Sequence, residues 1–203
     1  MASPSKAKLP KPVTKRGEAT RRKILDAAEL EFGEKGFMAA SVSSITARAG
    51  VGQGTFYLYF PSKETVLSEL VRYMGRELRH TLTDAVKGLE RRSDIEKTGI
   101  EAFLAFAKKH KNLYRIVMES QFVDVAVYQD YYQSLASAYA RGLEQAQEKE
   151  QVRPGNAEAK AWALMGVTHF LGLRYAIWQD KTPPQEVMDS TLDFIFNGLV
   201  TES

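Results

Sequence analysis

Apolar residues recur at three- and four-residue steps along most of the chain, the period of amphipathic helices. Ile24, Leu25, Ala28 and Phe32 share one face of a helix that begins near Glu18. Gly36 suits its end, because glycine takes a positive φ without steric cost. Val42, Ile45 and Ala49 form the apolar side of a short second helix, with Ser41 placed to cap its first turn. Position 44 is Ser44, so the acidic residue of a usual capping box is missing. Gly50 ends this helix, and a third short helix is expected from Gly52 to Tyr59. Pro61 and Ser62 mark the next boundary, with Ser62 as the cap. Val66, Leu67, Leu70, Val71, Met74 and Leu78 then line the buried side of a longer helix. Further helices are expected near 94–109, 110–120, 125–150, 156–180 and 184–200. Arg153-Pro154-Gly155-Asn156 and Thr182-Pro183-Pro184 are the clearest breaks. Val123–Tyr128 alternates briefly but runs into a helical pattern. The reading is all-α, roughly nine helices, without internal repeats.

Composition narrows the function classes. The 203 residues include no cysteine, which excludes disulfides, thiolate metal sites and a cysteine nucleophile. That usage fits a reducing compartment, and the expected location is cytoplasmic. No apolar run is long enough to span a membrane, and no apolar stretch follows the basic N-terminus as a secretory signal requires. Three histidines, without H-E-x-x-H or G-x-S-x-G, give no catalytic or metal site, so neither an enzyme nor a cofactor is expected. The formal charge of +3 is unevenly spread. Lys6, Lys8, Lys11, Lys15, Arg16, Arg21, Arg22 and Lys23 face Glu18 alone before residue 25. This points to a polyanion at that end, or to a solvated tail. With Pro4, Pro10 and Pro12, residues 1–16 read as a disordered basic arm.

The two short helices around Ala49-Gly50-Val51 fit a helix-turn-helix, in which Gly50 supplies the positive φ of the turn. The second helix of such a unit enters the major groove. Here it would present Gln53, Thr55 and Tyr57: an amide able to pair with adenine, a hydroxyl with a methyl, and a phenol within reach of phosphate. Gly52 and Gly54 would let the backbone approach DNA. Their G-x-G-x-G spacing after a helix is not that of a dinucleotide loop.

The strings are more specific than a generic unit. Thr20-Arg21-Arg22-Lys23-Ile24-Leu25-Asp26-Ala27-Ala28 precedes Phe32 and Gly36-Phe37. Ser41-Val42-Ser43-Ser44-Ile45-Thr46-Ala47-Arg48-Ala49-Gly50-Val51 and Gly54-Thr55-Phe56-Tyr57-Leu58-Tyr59-Phe60-Pro61-Ser62-Lys63-Glu64 follow. Over about residues 18–65 this closely resembles the DNA-binding domain of the TetR-type (TetR/AcrR) bacterial transcriptional repressors. The resemblance implies base or backbone contacts from Gln53, Thr55 and Tyr57, and phosphate contacts from Tyr59 and Lys63. It adds Ser43 and Arg48 on the supporting helix. Ile24, Ala28, Phe32, Ile45, Ala49 and Phe60 become the core. Members often carry Ser where this chain has Gly52, a cap without a side-chain phosphate contact.

The resemblance also implies three parts: the arm at 1–16, a helix-turn-helix domain at 17–64, and a helical effector-binding and dimerisation domain at 65–203. The chain would be a homodimeric repressor on a palindromic operator in double-stranded DNA, released by a small hydrophobic effector. A constitutive or architectural DNA-binding protein without an effector is the alternative. The residues agree with a dimer in part. The helix after Asn156 is apolar nearly all round and the last helix carries two apolar stripes, so both need cover on more than one side. Leu164, Met165, Leu171, Gly172, Tyr175, Val187, Phe194, Ile195 and Gly198 are the candidates for this interface. An effector pocket is expected among Phe103, Phe106, Tyr114, Met118, Phe122, Tyr131, Leu135, Tyr139 and His169, with ordinary core packing as the alternative for each. Arg115 and Arg174 are candidates to meet an acidic ligand group.

Overall fold

The computed structural model describes residues 14–199. They form α1 (Lys15–Lys35), α2 (Val42–Ala49), α3 (Gln53–Tyr59), α4 (Lys63–Ala85), α5 (Arg92–Lys109), α6 (Lys111–Ser120), α7 (Val125–Glu148), α8 (Ala157–Leu171) and α9 (Gln185–Asn197). A π-helical segment, Gly172–Trp178, continues α8. No strand occurs among the described residues, and the all-α expectation holds. Of the expected basic arm, residues 1–13 lie outside the described residues, and Lys15 and Arg16 already belong to α1.

The chain divides into two compact units. Among the described residues, one holds Thr14–Tyr73 together with Asn112–Tyr128, and the other Met74–Lys111 with Gln129–Leu199. The division therefore falls inside α4 rather than after residue 64. The stretch 112–128, which the sequence pattern left with the second domain, belongs with the first unit.

In the first unit Ile24, Ala28, Phe32, Ile45, Phe56, Phe60, Val66 and Leu67 are wholly buried, while Ala49 is only half-buried. Thr14 caps α1 by accepting from Gly17 N–H at 3.1 Å. The α2 cap differs from expectation. Ser44 takes the place of the missing acid: its Oγ accepts from Ser41 N–H at 3.1 Å, while Ser41 Oγ accepts from Ser44 N–H at 3.0 Å. Gly50 is left-handed at φ 67 and ψ 37, as the turn requires. α6 packs on the end of α1. A Cβ at Gly33 would lie 2.2 Å from the Asn112 side chain, so only glycine permits this approach. Arg115 Nη1 donates to Gly33 O at 2.9 Å, and Phe37 N–H donates to the Glu119 carboxylate at 2.6 Å. Arg115 is thus committed within this unit rather than facing a ligand.

In the second unit, Ile100, Leu104, Met188 and Leu192 form one apolar cluster, with Leu171 and Ile195 against it. Ala140, Leu143, Ala157 and Ala161 form another, with Tyr139 and Leu164 beside it. α5 is tied to α7 by a buried polar group: Arg92 Nε donates to Glu96 Oε1 at 2.8 Å, and the Tyr139 hydroxyl donates to Glu96 Oε2. Burial, and then the Glu96 charge, push the Tyr139 phenol above its ordinary value, so it stays protonated. Gly172, an interface candidate from the sequence, lies against a helix of its own unit: Phe103 Cε1 of α5 would be 2.8 Å from an added Cβ.

Candidate nucleic-acid interface

α3 is held by its aromatic side. Phe56 and Phe60 are wholly buried, with ring centroids 5.9 Å apart, and the Tyr57 ring meets Phe56 edge-on at 5.4 Å. That fixes which residues face outward. Gln53 and Gly54 are exposed, Tyr57 is 55% exposed and Leu58 is 72% exposed. Gln53 and Tyr57 are four residues apart and so share a helical face, as do Gly54 and Leu58. Thr55 and Tyr59 are half-buried at the edges of this surface, and Ser43 is exposed on α2. Leu58 was missed from sequence. It reads as one more apolar residue in Phe56–Phe60, and its step of four from Gly54 was the available signal.

Two expected DNA contacts are engaged inside the domain. Lys63 Nζ donates to Phe37 O at 3.0 Å and to Ala40 O at 2.8 Å, and lies 4.4 Å from the Phe37 ring centroid. It therefore closes the turn between α1 and α2. Arg48 Nε bonds Glu31 at 2.7 Å, and its two terminal nitrogens bond Glu34 at 3.0 and 2.6 Å. A guanidinium in a bidentate carboxylate pair has little left for phosphate. We expect Lys63→Met to lower the stability of the protein by about 1.5–3 kcal/mol in urea denaturation, since it strips a charged donor from two carbonyls. Unchanged stability with weakened DNA binding would return Lys63 to the phosphate role.

Glu31 anchors the same corner. Its carboxylate is 3% exposed and receives Lys35 at 2.7 Å as well as Arg48. The hydrogen bond from Lys35, with those from Ser44 and Arg48, holds its pKa down to about 2 against the opposing effect of burial. A depressed carboxylate stabilises the fold above its unfolded value and loses that contribution as pH falls through the folded one. Stability should therefore decline from the ordinary glutamate value near 4.5 down to about 2. Glu31→Gln should be less stable at neutral pH and flatter across that window. Denaturant melts at stepped pH test this, and parallel curves for the two proteins would refute it.

The other candidates are divided between the two units. Phe103, Phe106, Tyr131, Leu135, Tyr139 and His169 lie in the second unit, and Tyr114, Met118 and Phe122 in the first. Phe106, Tyr114 and Tyr131 are buried, whereas Phe122 is 85% exposed. Burial lowers the His169 pKa below its ordinary value, so the imidazole is neutral at pH 7. Arg174 lies over the Tyr175 ring at 5.1 Å. Of the interface candidates, Leu164, Met165, Leu171, Val187 and Ile195 are half-buried, and Phe194 and Gly198 are exposed. Gly172 and Tyr175 are buried in their own unit, which removes them from any outer surface. The exposed apolar residues here are instead Trp162, Phe170, Trp178, Phe194, Phe196 and Leu199. Among the described residues no three His, Cys, Asp or Glu side chains are grouped to hold a metal. No described helix is long and apolar enough to cross a membrane.

The family model for bacterial regulatory proteins of the tetR family matches residues 24–70, the segment that contains this interface. Over these residues the chain is similar to the bacterial regulatory proteins of the tetR family. It is 27% identical over 190 residues to the HTH-type transcriptional repressor LfrR of Mycolicibacterium smegmatis, covering 91% of this chain and 92% of that protein. It is 36% identical over 107 residues to the HTH-type transcriptional regulator YdgC of Bacillus subtilis, which is 50% of this chain and about half, 54%, of that protein. In structure it is similar to the fatty acid degradation regulator FadR of Bacillus halodurans, with TM-score 0.77, 19% identity, and 93% and 98% of the two chains covered. FadR of Bacillus subtilis in complex with stearoyl-CoA gives 0.76 at 18% identity, over 88% of this chain and 99% of that one. At such identities the structures establish the shared TetR-type fold. The relatives are named as transcriptional regulators or repressors.

Proposed function

We propose that the protein is a homodimeric, sequence-specific transcriptional repressor released from a palindromic operator by a small hydrophobic effector. The observation that carries this reading is the exposed set Gln53, Tyr57 and Leu58 on a helix whose Phe56 is fully buried. A rigid helix with a polar and aromatic outer face suits the major groove. Ser43, Thr55 and Tyr59 add to the contact, while Lys63 and Arg48 hold the domain in shape.

The dimer reading is supported by the exposed aromatic and aliphatic residues along α8, the π segment and α9. Exposed apolar side chains of this size suit a protein contact. Effector binding draws support from the half-buried Phe103, Leu135 and His169 and from the likeness to a FadR that binds stearoyl-CoA, which favours a long acyl thioester. α4 runs through both units, so a ligand that shifts its later half would move the start that carries Lys63.

Selection of bound sequences from a random DNA pool tests this reading. The expected product is a palindrome with half-sites spaced about 10–10.5 bp or a multiple. Stearoyl-CoA should weaken its binding by roughly 5–150-fold, the usual range for allosteric coupling. A pool without sequence enrichment would sink the reading, and enrichment insensitive to acyl-CoA and fatty acid would mark a constitutive regulator.

A further inference from the structure

A groove of about 390 Å³ opens in the second unit between α4 and α7, lined by Arg79, Asp130, Gln133, Ser134, Ser137, Ala138 and Arg141. Asp130, Ser134, Ser137 and Arg141 follow one another at steps of four, three and four, so they form a single polar stripe along α7. Arg79 faces them from α4. Gly75 lies beside it: an added Cβ would be 3.2 Å from Arg79 Nη1 and 3.2 Å from the Tyr131 ring. Several arginines of this protein are paired. Arg21, Arg22, Arg48, Arg92 and Arg115 all meet carboxylates, whereas neither Arg79 nor Arg141 does so among the described residues.

Arg79 and Arg141 line the groove with one carboxylate, Asp130, so its lining carries a net positive charge that favours an anion. Guanidinium forks match phosphate oxygens in bidentate pairs, and serine hydroxyls can donate to the remaining oxygens. Asp130 tells against a bare inorganic anion. A carboxylate accepts from hydroxyl groups, as acidic residues do from ribose in nucleotide sites. Gln133 offers both a donor and an acceptor to the same moiety. The volume lies in the lower part of the roughly 300–1,000 Å³ range of ligand pockets, the scale of one nucleotide.

We propose that this groove binds a phosphorylated ribonucleotide, with phosphate on Arg79, Arg141 and the two serines, and sugar hydroxyls on Asp130 and Gln133. The site differs from the aromatic residues considered for an acyl effector and does not depend on that reading. A free nucleotide and the nucleotide half of coenzyme A carry the same chemistry.

Isothermal titration of the full chain with adenosine 3′,5′-bisphosphate tests the proposal. Binding is expected at one per protomer, with none for adenosine and weaker binding for inorganic phosphate. Arg141→Gln, on an exposed side chain, should weaken binding by roughly tenfold or more while leaving the melting temperature and DNA binding of the ligand-free protein unchanged. That pattern also separates the groove from adventitious phosphate binding at the DNA-contacting surface. Absence of binding, or equal affinity in Arg141→Gln and Arg79→Gln, would overturn the site. Inorganic phosphate binding as tightly as the bisphosphate would overturn the assignment to a nucleotide. Once binding is established, competition between coenzyme A and AMP identifies the source, the tighter being the physiological class.

Discussion

Alanine at Gln53 or at Tyr57 is expected to remove most specific DNA binding while the protein stays folded. A contact to a base edge is worth roughly 1–3 kcal/mol. A two-fold dimer uses each contact twice, so one substitution forfeits roughly 2–6 kcal/mol, a loss on the order of 30-fold or more. Gln53 is exposed, and its removal costs the fold almost nothing. Tyr57 also touches Phe56 edge-on, so its truncation adds a small stability cost of about 0.5–1.5 kcal/mol. Tyr57→Phe keeps that ring contact and deletes only the hydroxyl, which separates the two effects. Fluorescence anisotropy against a selected site, beside a thermal melt, measures both. Binding within twofold of the parent for both alanine variants would show that α3 is not the reading element.

The second large effect is expected from Phe194→Asp. Phe194 is exposed on α9, and Trp178 at the end of the π segment is 70% exposed. In a symmetric dimer the new carboxylate would be buried twice without a partner, at a cost of roughly 3–5 kcal/mol each time. Sedimentation should then show a monomer with an unchanged helical spectrum. DNA affinity should fall by roughly 10²–10⁴-fold, because two linked half-site contacts become independent ones. A variant that remains dimeric would place the interface elsewhere.

Much of the fold was legible because it rests on local rules. The helix period, the glycine at φ 67 and the serine caps are each written within a few residues. What escaped depends on distance or on an unusual period. The π segment has more residues per turn than the 3.6-residue pattern used to find helices, so it read as a continuation of α8. Gly172 read as an interface residue, because nothing nearby in sequence named Phe103 of its own unit as the neighbour. The role of Lys63 could not be read because its acceptors, Phe37 O and Ala40 O, lie 26 and 23 residues earlier. Sequence treats such a lysine as a surface cation. Leu58 was obscured for the opposite reason, since an apolar residue beside Phe56 and Phe60 is ordinarily assigned to the core.

The internal engagement of the domain's cations bears on how binding should respond to ionic strength. Arg21, Arg22, Lys35, Arg48 and Lys63 are all satisfied by carboxylates or carbonyls. Lys15, Arg16 and Lys23 are the cations of residues 14–63 without such a partner among the described residues. Each phosphate neutralised releases condensed counterions and adds about 0.9 to the slope of log affinity against log salt. The folded domain should therefore release few of them, and its share of the salt sensitivity should be well below what its count of basic residues implies.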